Sequence, residues 1–183
     1  MSKEINDAAY WREFEKNELT HSAAHYLMAI DALREELGYA RVTDVAEKLE
    51  VTRGAASMSI RQLKKRGWVK EDPNRFLLLA DKGEEIVNLV EHNFRILTRF
   101  FTDHLGLSKD TAFADACKME HLLSLDTGKR LLGLMHFMEA RPKMFKELES
   151  FLESGQEQGE DVEGCPICEG ECMAASSGES ATN

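Results

Sequence analysis

The sequence predicts a mainly α-helical protein in which a winged helix-turn-helix domain is followed by a second helical domain and a tail. Between residues 41 and 79, two short amphipathic segments precede two strand-like runs that flank a turn. After residue 83, apolar residues recur at helical spacing. Only three prolines occur in 183 residues, which favours long helices.

The first part of the chain predicts two helices. Residues 7–17 place three aromatic side chains on one side, so we predict a helical extension over residues 1–18. In the next segment apolar residues recur at helical spacing, and Gly38 suits the end of that helix. These apolar residues are Leu19, Ala23, Tyr26, Leu27, Ile30, Leu33 and Leu37.

The helix-turn-helix is predicted from residue 42. Val42-Thr43-Asp44 suits the start of its first helix, Thr52 is a good N-cap for the second, and Gly67 ends that helix. The predicted inward-facing residues are Val45, Ala46, Leu49, Ala56, Ile60 and Leu63.

A small hairpin follows the two helices. Residues 68–70 and 75–79 are strand-like runs on either side of the turn Asp72-Pro73-Asn74. Two short helices with a hairpin are a poor frame for an enzyme pocket, but they suit the insertion of one helix into the major groove of DNA.

Local charge supports a DNA-binding face. The net charge is −10, yet residues 51–70 carry six basic side chains and no acidic one, whereas residues 151–183 carry eight acidic and no basic side chains. Attraction to phosphate is short-ranged in physiological salt, so the charge of the local face, rather than the net charge, determines whether DNA can bind there. We expect Arg53 and Gln62 to read base edges, Arg75 in the wing to reach the minor groove, and the serines and other basic residues to contact phosphates. The candidate DNA-binding residues are Thr52, Arg53, Ala55, Ser57, Met58, Ser59, Arg61, Gln62, Lys64, Lys65 and Arg75.

The second domain is predicted to consist of helices over 83–104, 108–123 and 126–139, with a last amphipathic piece after Pro142. Apolar faces on helices that follow a winged domain indicate a homodimer interface, which matches a two-fold DNA site. The predicted division is a DNA-binding domain at 1–82, a metal-binding and dimerisation domain at 83–152, and an acidic, disordered tail at 153–183.

A possible metal site lies in the second domain. Cys117, Glu120 and His121 have i, i+3, i+4 spacing, which places them on one face of a helix. Thiolate, carboxylate and imidazole together suit a borderline divalent metal and leave room for a ligand from elsewhere. His25 in the first helix is a partner, and His21, one turn earlier, pairs with it at a spacing that can itself hold a metal.

Four segments in order resemble the DtxR/MntR family of metal-dependent transcriptional repressors: HYLMAIDAL, the helix-turn-helix VTDVAEKLEVTRGAASMSIRQLKKRGWV, the hairpin leading into ADKG, and ACKMEHLLS. The resemblance covers roughly residues 20–140. It implies a homodimer that represses metal-homeostasis genes when a divalent metal is bound. It also implies a principal metal site of His25, Cys117, Glu120 and His121, with Met28 a weaker candidate.

The resemblance also bears on the metal and on a second site. The site resembles the iron-sensing branch of the family, because Cys117 supplies a thiolate, and this resemblance implies Fe(II) as the cofactor in preference to Mn(II) or Zn(II). The family's second site uses histidines at the places of Phe94 and Phe113, and His92 lies two positions away on another helix face. We therefore expect one metal site, with His92 only a weak candidate for a rebuilt second one.

The tail contains the remaining cysteines, Cys165, Cys168 and Cys172. Their spacing is compatible with a second metal site or an iron-sulfur cluster, although no fourth ligand is evident, and equally with a redox-sensing thiol pair.

Two other functions are compatible with the sequence. One is a metal-independent, MarR-like winged-helix regulator that senses an organic ligand or thiol oxidation. The other is a metal- or redox-binding protein that acts through the tail cysteines without binding DNA. No nucleophile motif or phosphate-binding glycine loop is present, so we predict no enzyme and no small organic substrate. We also expect a cytoplasmic protein without a membrane partner, since no long apolar run or signal-peptide core occurs.

Overall fold

The structure, a computed structural model, describes the backbone of residues 19–157 and the side chains of residues 19–152. It confirms the predicted fold class, with a helical chain interrupted by one two-stranded sheet. The predicted extension at residues 1–18 lies outside the described residues, and so do the three tail cysteines. No helix of the described part is long and apolar enough to cross a membrane.

Helix α1 spans His21–Leu37. The Thr20 side chain accepts a hydrogen bond from the backbone N–H of Ala23 at 3.2 Å and so caps its start. Gly38, with φ of 79°, ends it in the left-handed conformation that glycine adopts at no steric cost. The predicted inward face is confirmed except at Leu37, which is 52% exposed because the last turn extends past the core.

Helices α2 (Val42–Lys48) and α3 (Arg53–Lys65) form the helix-turn-helix. Thr52 caps α3 as predicted, since its side chain accepts from the backbone N–H of Ala55 at 3.2 Å. The predicted inward-facing residues are buried or, for Leu49, partly buried against the core. Burial of one face of each helix leaves the outer face of α3 to solvent.

The wing consists of β1 (Val69–Glu71) and β2 (Leu77–Leu79), which are antiparallel. Strand β1 is shifted by one residue from the predicted run, and β2 starts two residues later than predicted, because Arg75 has a φ of 65° and belongs to the turn. The Asp72 side chain accepts from the backbone N–H of Asn74 at 2.9 Å and of Phe76 at 2.8 Å.

Helix α4 spans Asp81–Arg99 and continues into a π-helical turn at Phe100–His104. The sequence predicts one regular helix over 83–104, so the π turn is a correction to that prediction. Helix α4 packs against α1 and also against the helices that follow it, and thereby joins the DNA-binding domain to the rest of the second domain.

Three further helices complete the described chain: α5 (Lys109–Met119), α6 (Leu125–Glu139) and α7 (Pro142–Glu157). Helix α5 ends four residues before the predicted bound of 123, because the chain turns there, with the backbone N–H of Leu122 donating to the Met119 carbonyl at 2.9 Å. Helix α7 continues through residue 157, four residues past the predicted start of the tail at 153.

Candidate metal centre

The first helix supplies two imidazoles. His21 is the first residue of α1 and His25 lies one turn later on the same face, so their ring centroids are 4.3 Å apart. His21 is exposed and His25 is half-buried. Both side chains point from α1 towards the end of α5.

The end of α5 supplies the other ligands, and here the structure corrects the prediction of one helix face. Cys117 lies in the last turn of α5, but Glu120 is the residue after the helix and His121 lies in the following turn. Glu120 keeps helical torsion angles and its backbone N–H donates to the Ala116 carbonyl at 2.8 Å. The carboxylate therefore stays on the side of Cys117 although the regular helix has ended.

The distances between the two elements are short. The Sγ atom of Cys117 lies 3.4 Å from Nε2 of His25, and Oε1 of Glu120 lies 3.8 Å from the same nitrogen. Together with His21, these residues offer donor atoms that all lie within 4.8 Å of one another. The ring of His121 stands outside this group but is 5.1 Å from the ring of His21. The structure thus brings a weaker candidate, His21, into the cluster.

The cluster is electrostatically incomplete. Glu120 is only 1% exposed, and its Oε1 has no hydrogen-bond partner among the described residues; the same holds for the buried Nδ1 of His121. Burial raises the pKa of Glu120 to about 7. Burial, followed by the nearby Glu120 carboxylate, raises the pKa of Cys117. A divalent cation would give the Glu120 carboxylate the partner that it lacks and would stabilise the thiolate of Cys117, so these residues fit a metal.

The two histidines that flank the carboxylate are held neutral. Burial lowers the pKa of His25, and the neighbouring imidazole of His21 lowers it further. The pKa of His121 is lowered in the same way, by burial and then by His21 and His25. A neutral imidazole has a lone pair to donate, which is the form that binds a metal.

A buried asparagine supports the turn that carries Glu120. The side-chain amide of Asn93, in α4, donates to the backbone carbonyls of Glu120 at 2.8 Å and Leu123 at 2.9 Å. Asn93 is completely buried. Sequence reasoning missed it, although a polar residue between Val90 and Leu97 on the inward face of α4 is a usable signal.

The other candidates are not brought to the cluster. Met28 packs against the hydrophobic core, and His92 lines a groove between α4 and Leu125. The rings of Phe94 and Phe113 meet edge to face at 5.4 Å. Within the described residues, no other group of three or more histidine, cysteine or acidic side chains has metal-ligand spacing.

The candidate DNA-binding residues form the outer face of α3 and the wing. All of them are exposed except Ser59 and Lys64, which are half-buried. Lys64 forms an ion pair with Glu71 of β1, so part of its charge is neutralised. Met58 is 64% exposed at the centre of the α3 face.

Comparison with known proteins covers both halves of the structure. The profile described as "Iron dependent repressor, N-terminal DNA binding domain" matches residues 18–77, and "Iron dependent repressor, metal binding and dimerisation domain" matches residues 80–157. The HTH-type transcriptional regulator MntR of Lysinibacillus sphaericus is 30% identical over 131 residues, 72% of this chain and 94% of that protein. The iron-dependent repressor IdeR of Mycobacterium leprae is 29% identical over 66% of this chain and 52% of its own length.

Solved structures agree with these matches. The crystal structure of the metal-dependent transcriptional regulator MtsR aligns with a TM-score of 0.57 and 28% identity, covering 63% of this chain and 54% of that one. The manganese regulator SloR aligns with a TM-score of 0.56 and 25% identity over 63% of this chain and 54% of that one. The chain belongs to the DtxR/MntR family of metal-dependent transcriptional repressors.

Proposed function

We propose that this chain is a homodimeric, cytoplasmic repressor that binds operator DNA when a divalent metal joins its two domains through His25, Cys117, Glu120 and His121. The observation that carries the proposal is the 3.4 Å separation between His25 in the DNA-binding domain and Cys117 in the second domain. Residues 92 apart in sequence form this contact, so a ligand held there links the two domains directly.

The residues of the cluster act by fixing an angle between helices. A bound divalent cation supplies the positive charge that Glu120 lacks and a bond that joins α1 to α5. His25 then holds α1, and with it the helix-turn-helix, against the second domain. A ligand shifts an equilibrium only by its preference for one arrangement. The gain in DNA affinity on metal binding therefore depends on how far α1 and α5 separate in the metal-free protein. In a dimer, the same contact sets the spacing of the two α3 helices.

The outer face of α3 is the proposed DNA-reading surface. Arg53 and Gln62 are exposed and suit base edges, whereas the serines and Arg61 suit phosphates. Lys64 contributes less because Glu71 neutralises part of its charge. Arg75 stands exposed in the turn of the wing, where it suits the minor groove.

The proposed metal is Fe(II) in preference to Mn(II) or Zn(II). A thiolate from Cys117 and neutral imidazoles suit Fe(II) better than Mn(II), which favours carboxylate and water ligands. The pair Phe94 and Phe113 supplies no donor atom, which supports one site in the described part of the chain. A separate metal, cluster or redox function of Cys165, Cys168 and Cys172 remains a hypothesis.

A DNA-binding measurement tests the proposal. Sequences are selected from a random DNA pool by the full chain under anaerobic conditions with Fe(II), and their affinity is measured by fluorescence anisotropy. We expect a chelator, or the substitution Glu120→Ala, to weaken binding at least about 10-fold, within the usual range of coupling between sites. The matched control Glu84→Ala changes an exposed carboxylate of α4 and should bind like the wild type.

Two outcomes contradict the proposal. Equal affinity with metal and with chelator would indicate a metal-independent regulator. Failure to bind any DNA sequence, at low salt as well as at high salt, would indicate that the helix-turn-helix does not contact DNA.

A further inference from the structure

His21 occupies a position that the family resemblance does not use for metal binding. It begins α1, four residues before His25, and its imidazole faces the end of α5. Two histidines at i and i+4 on one helix face are a known arrangement for holding one metal ion. The ring of His21 is near both other imidazoles, at 4.3 Å from His25 and 5.1 Å from His121.

The distances suit one metal ion that all four side chains bind. A tetrahedral ion with bonds of about 2.0–2.3 Å holds its ligand atoms about 3.3–3.8 Å apart. The separations of His25 from Cys117 and from Glu120, at 3.4 and 3.8 Å, already lie in this range. All four donor atoms, including that of His21, lie within 4.8 Å of one another, so every pair is at most about 1 Å beyond this range. His21 is exposed at the helix start, where such a movement meets little resistance.

We propose that His21 is a metal ligand, so that the DNA-binding domain holds the ion through two imidazoles, His21 and His25. This inference rests on the proposed function, because it concerns the same site. His21 adds to the proposed ligands His25, Cys117, Glu120 and His121; the donor atoms of His21, His25, Cys117 and Glu120 form the closest group, and His121 lies beside it.

The ligand set determines which metals are preferred. Each added imidazole strengthens binding of later first-row divalent ions more than that of Mn(II), which is the weakest of the series. His21 is therefore a residue that discriminates against Mn(II). Two bonds from α1 also hold the DNA-binding domain more firmly than one bond from His25 alone.

The test measures metal binding directly, without DNA. Co(II) is the probe because its visible absorption reports coordination number, and the thiolate-to-Co(II) band reports Cys117. All proteins are full-length, metal-free and anaerobic, with Cys165, Cys168 and Cys172 changed to serine so that the tail does not bind the probe. Affinities for Co(II) and Mn(II) are obtained by competition with a chelator of known affinity.

We expect His21→Ala to lower the Co(II) affinity at least about 10-fold, the scale of removing a supporting group from a metal site. The Mn(II) affinity should fall by a smaller factor, and the visible Co(II) spectrum should change while the thiolate band remains. His92→Ala is the matched control, because His92 is a histidine of α4 outside the cluster. Circular dichroism melting checks that each variant is folded, which the exposure of His21 favours.

The outcomes separate this inference from the proposed function. If His21→Ala binds Co(II) with unchanged affinity and spectrum while Glu120→Ala does not bind it, His21 is not a ligand although the metal centre is correct. If Glu120→Ala also binds Co(II) like the unsubstituted protein, the metal centre itself is wrong and the inference falls with it.

Discussion

The buried carboxylate of Glu120 makes the metal-free protein less stable as pH rises. Its pKa in the folded chain is about 7, against an ordinary value of 4.5, so the folded state binds this proton more tightly than the unfolded state does. At a pH between these two values, unfolding therefore releases the proton. The free energy of unfolding consequently falls as pH rises from about 4.5 to about 7. The difference in pKa, 7 − 4.5 = 2.5, corresponds to about 3 kcal/mol at about 1.4 kcal/mol for each unit.

The substitution Glu120→Gln isolates this effect. The free energy of unfolding is measured by urea denaturation in chelator from pH 5 to pH 8, at one protein concentration because a dimer's stability depends on it. At pH 5, which is just above the ordinary pKa, the variant should be more stable than the wild type by no more than about 1 kcal/mol. At pH 8 the variant should be more stable by about 3 kcal/mol, since it avoids a buried, unpaired charge.

Controls separate Glu120 from the other titrating groups. His25 and His121 have lowered pKa values, so their contribution has the opposite sign: it is lost as pH falls. They are present in both proteins, and Glu120→Gln preserves their burial, which is the larger cause of these shifts. Glu84→Gln, at an exposed site of α4, is the matched control. Saturating Fe(II) should remove the deficit of the wild type at pH 8, because the cation pairs with the carboxylate. A difference between Glu120→Gln and the wild type that stays constant from pH 5 to pH 8 would refute the reasoning.

Three further substitutions test packing, support of the site and DNA reading. Gly83→Ala should destabilise the chain by about 3 kcal/mol in urea unfolding, because the added Cβ overlaps the backbone carbonyl of Trp68. A variant as stable as the wild type would contradict the close packing of α4 on the wing. Asn93→Ala should destabilise the chain by about 2–3 kcal/mol and weaken Co(II) binding, because the buried carbonyl of Glu120 and the partly buried carbonyl of Leu123 lose their donor; unchanged Co(II) affinity would limit Asn93 to a role in stability. Arg53→Ala should weaken binding to the selected DNA by about 10-fold or more in anisotropy, and binding to unrelated DNA by less; an equal loss on both DNAs would make Arg53 a phosphate contact.

Much of the fold follows from short stretches of sequence. Thr20 and Thr52 each begin a helix because a hydroxyl can satisfy a free backbone N–H three residues later. Gly38 ends α1 because it accepts a positive φ. Such signals act within a few residues, so they are readable without knowledge of the rest of the chain.

The local sequence does not predict the backbone where contacts with neighbouring elements determine its geometry. The period of apolar residues continues past Met119, but the helix ends there and the chain turns beneath Asn93 of α4. The π turn at 100–104 likewise has no marker in the local pattern. At the end of α5, the hydrogen bonds from the distant Asn93 side chain outweigh helix propensities of less than about 1 kcal/mol per residue.

The sequence by itself determined the winged helix-turn-helix, the basic face of α3 and the ligand types available at Cys117 and Glu120, because each is a local property of spacing or composition. Only the tertiary structure decided which first-helix residues meet that pair. His21 and His25 are more than 90 residues away from them in the chain, and their approach depends on how α1 and α5 pack around α4. The packing angle of helices arises from many distributed contacts rather than from any one motif, so the inclusion of His21 in the cluster and the burial of Glu120 emerge only in three dimensions.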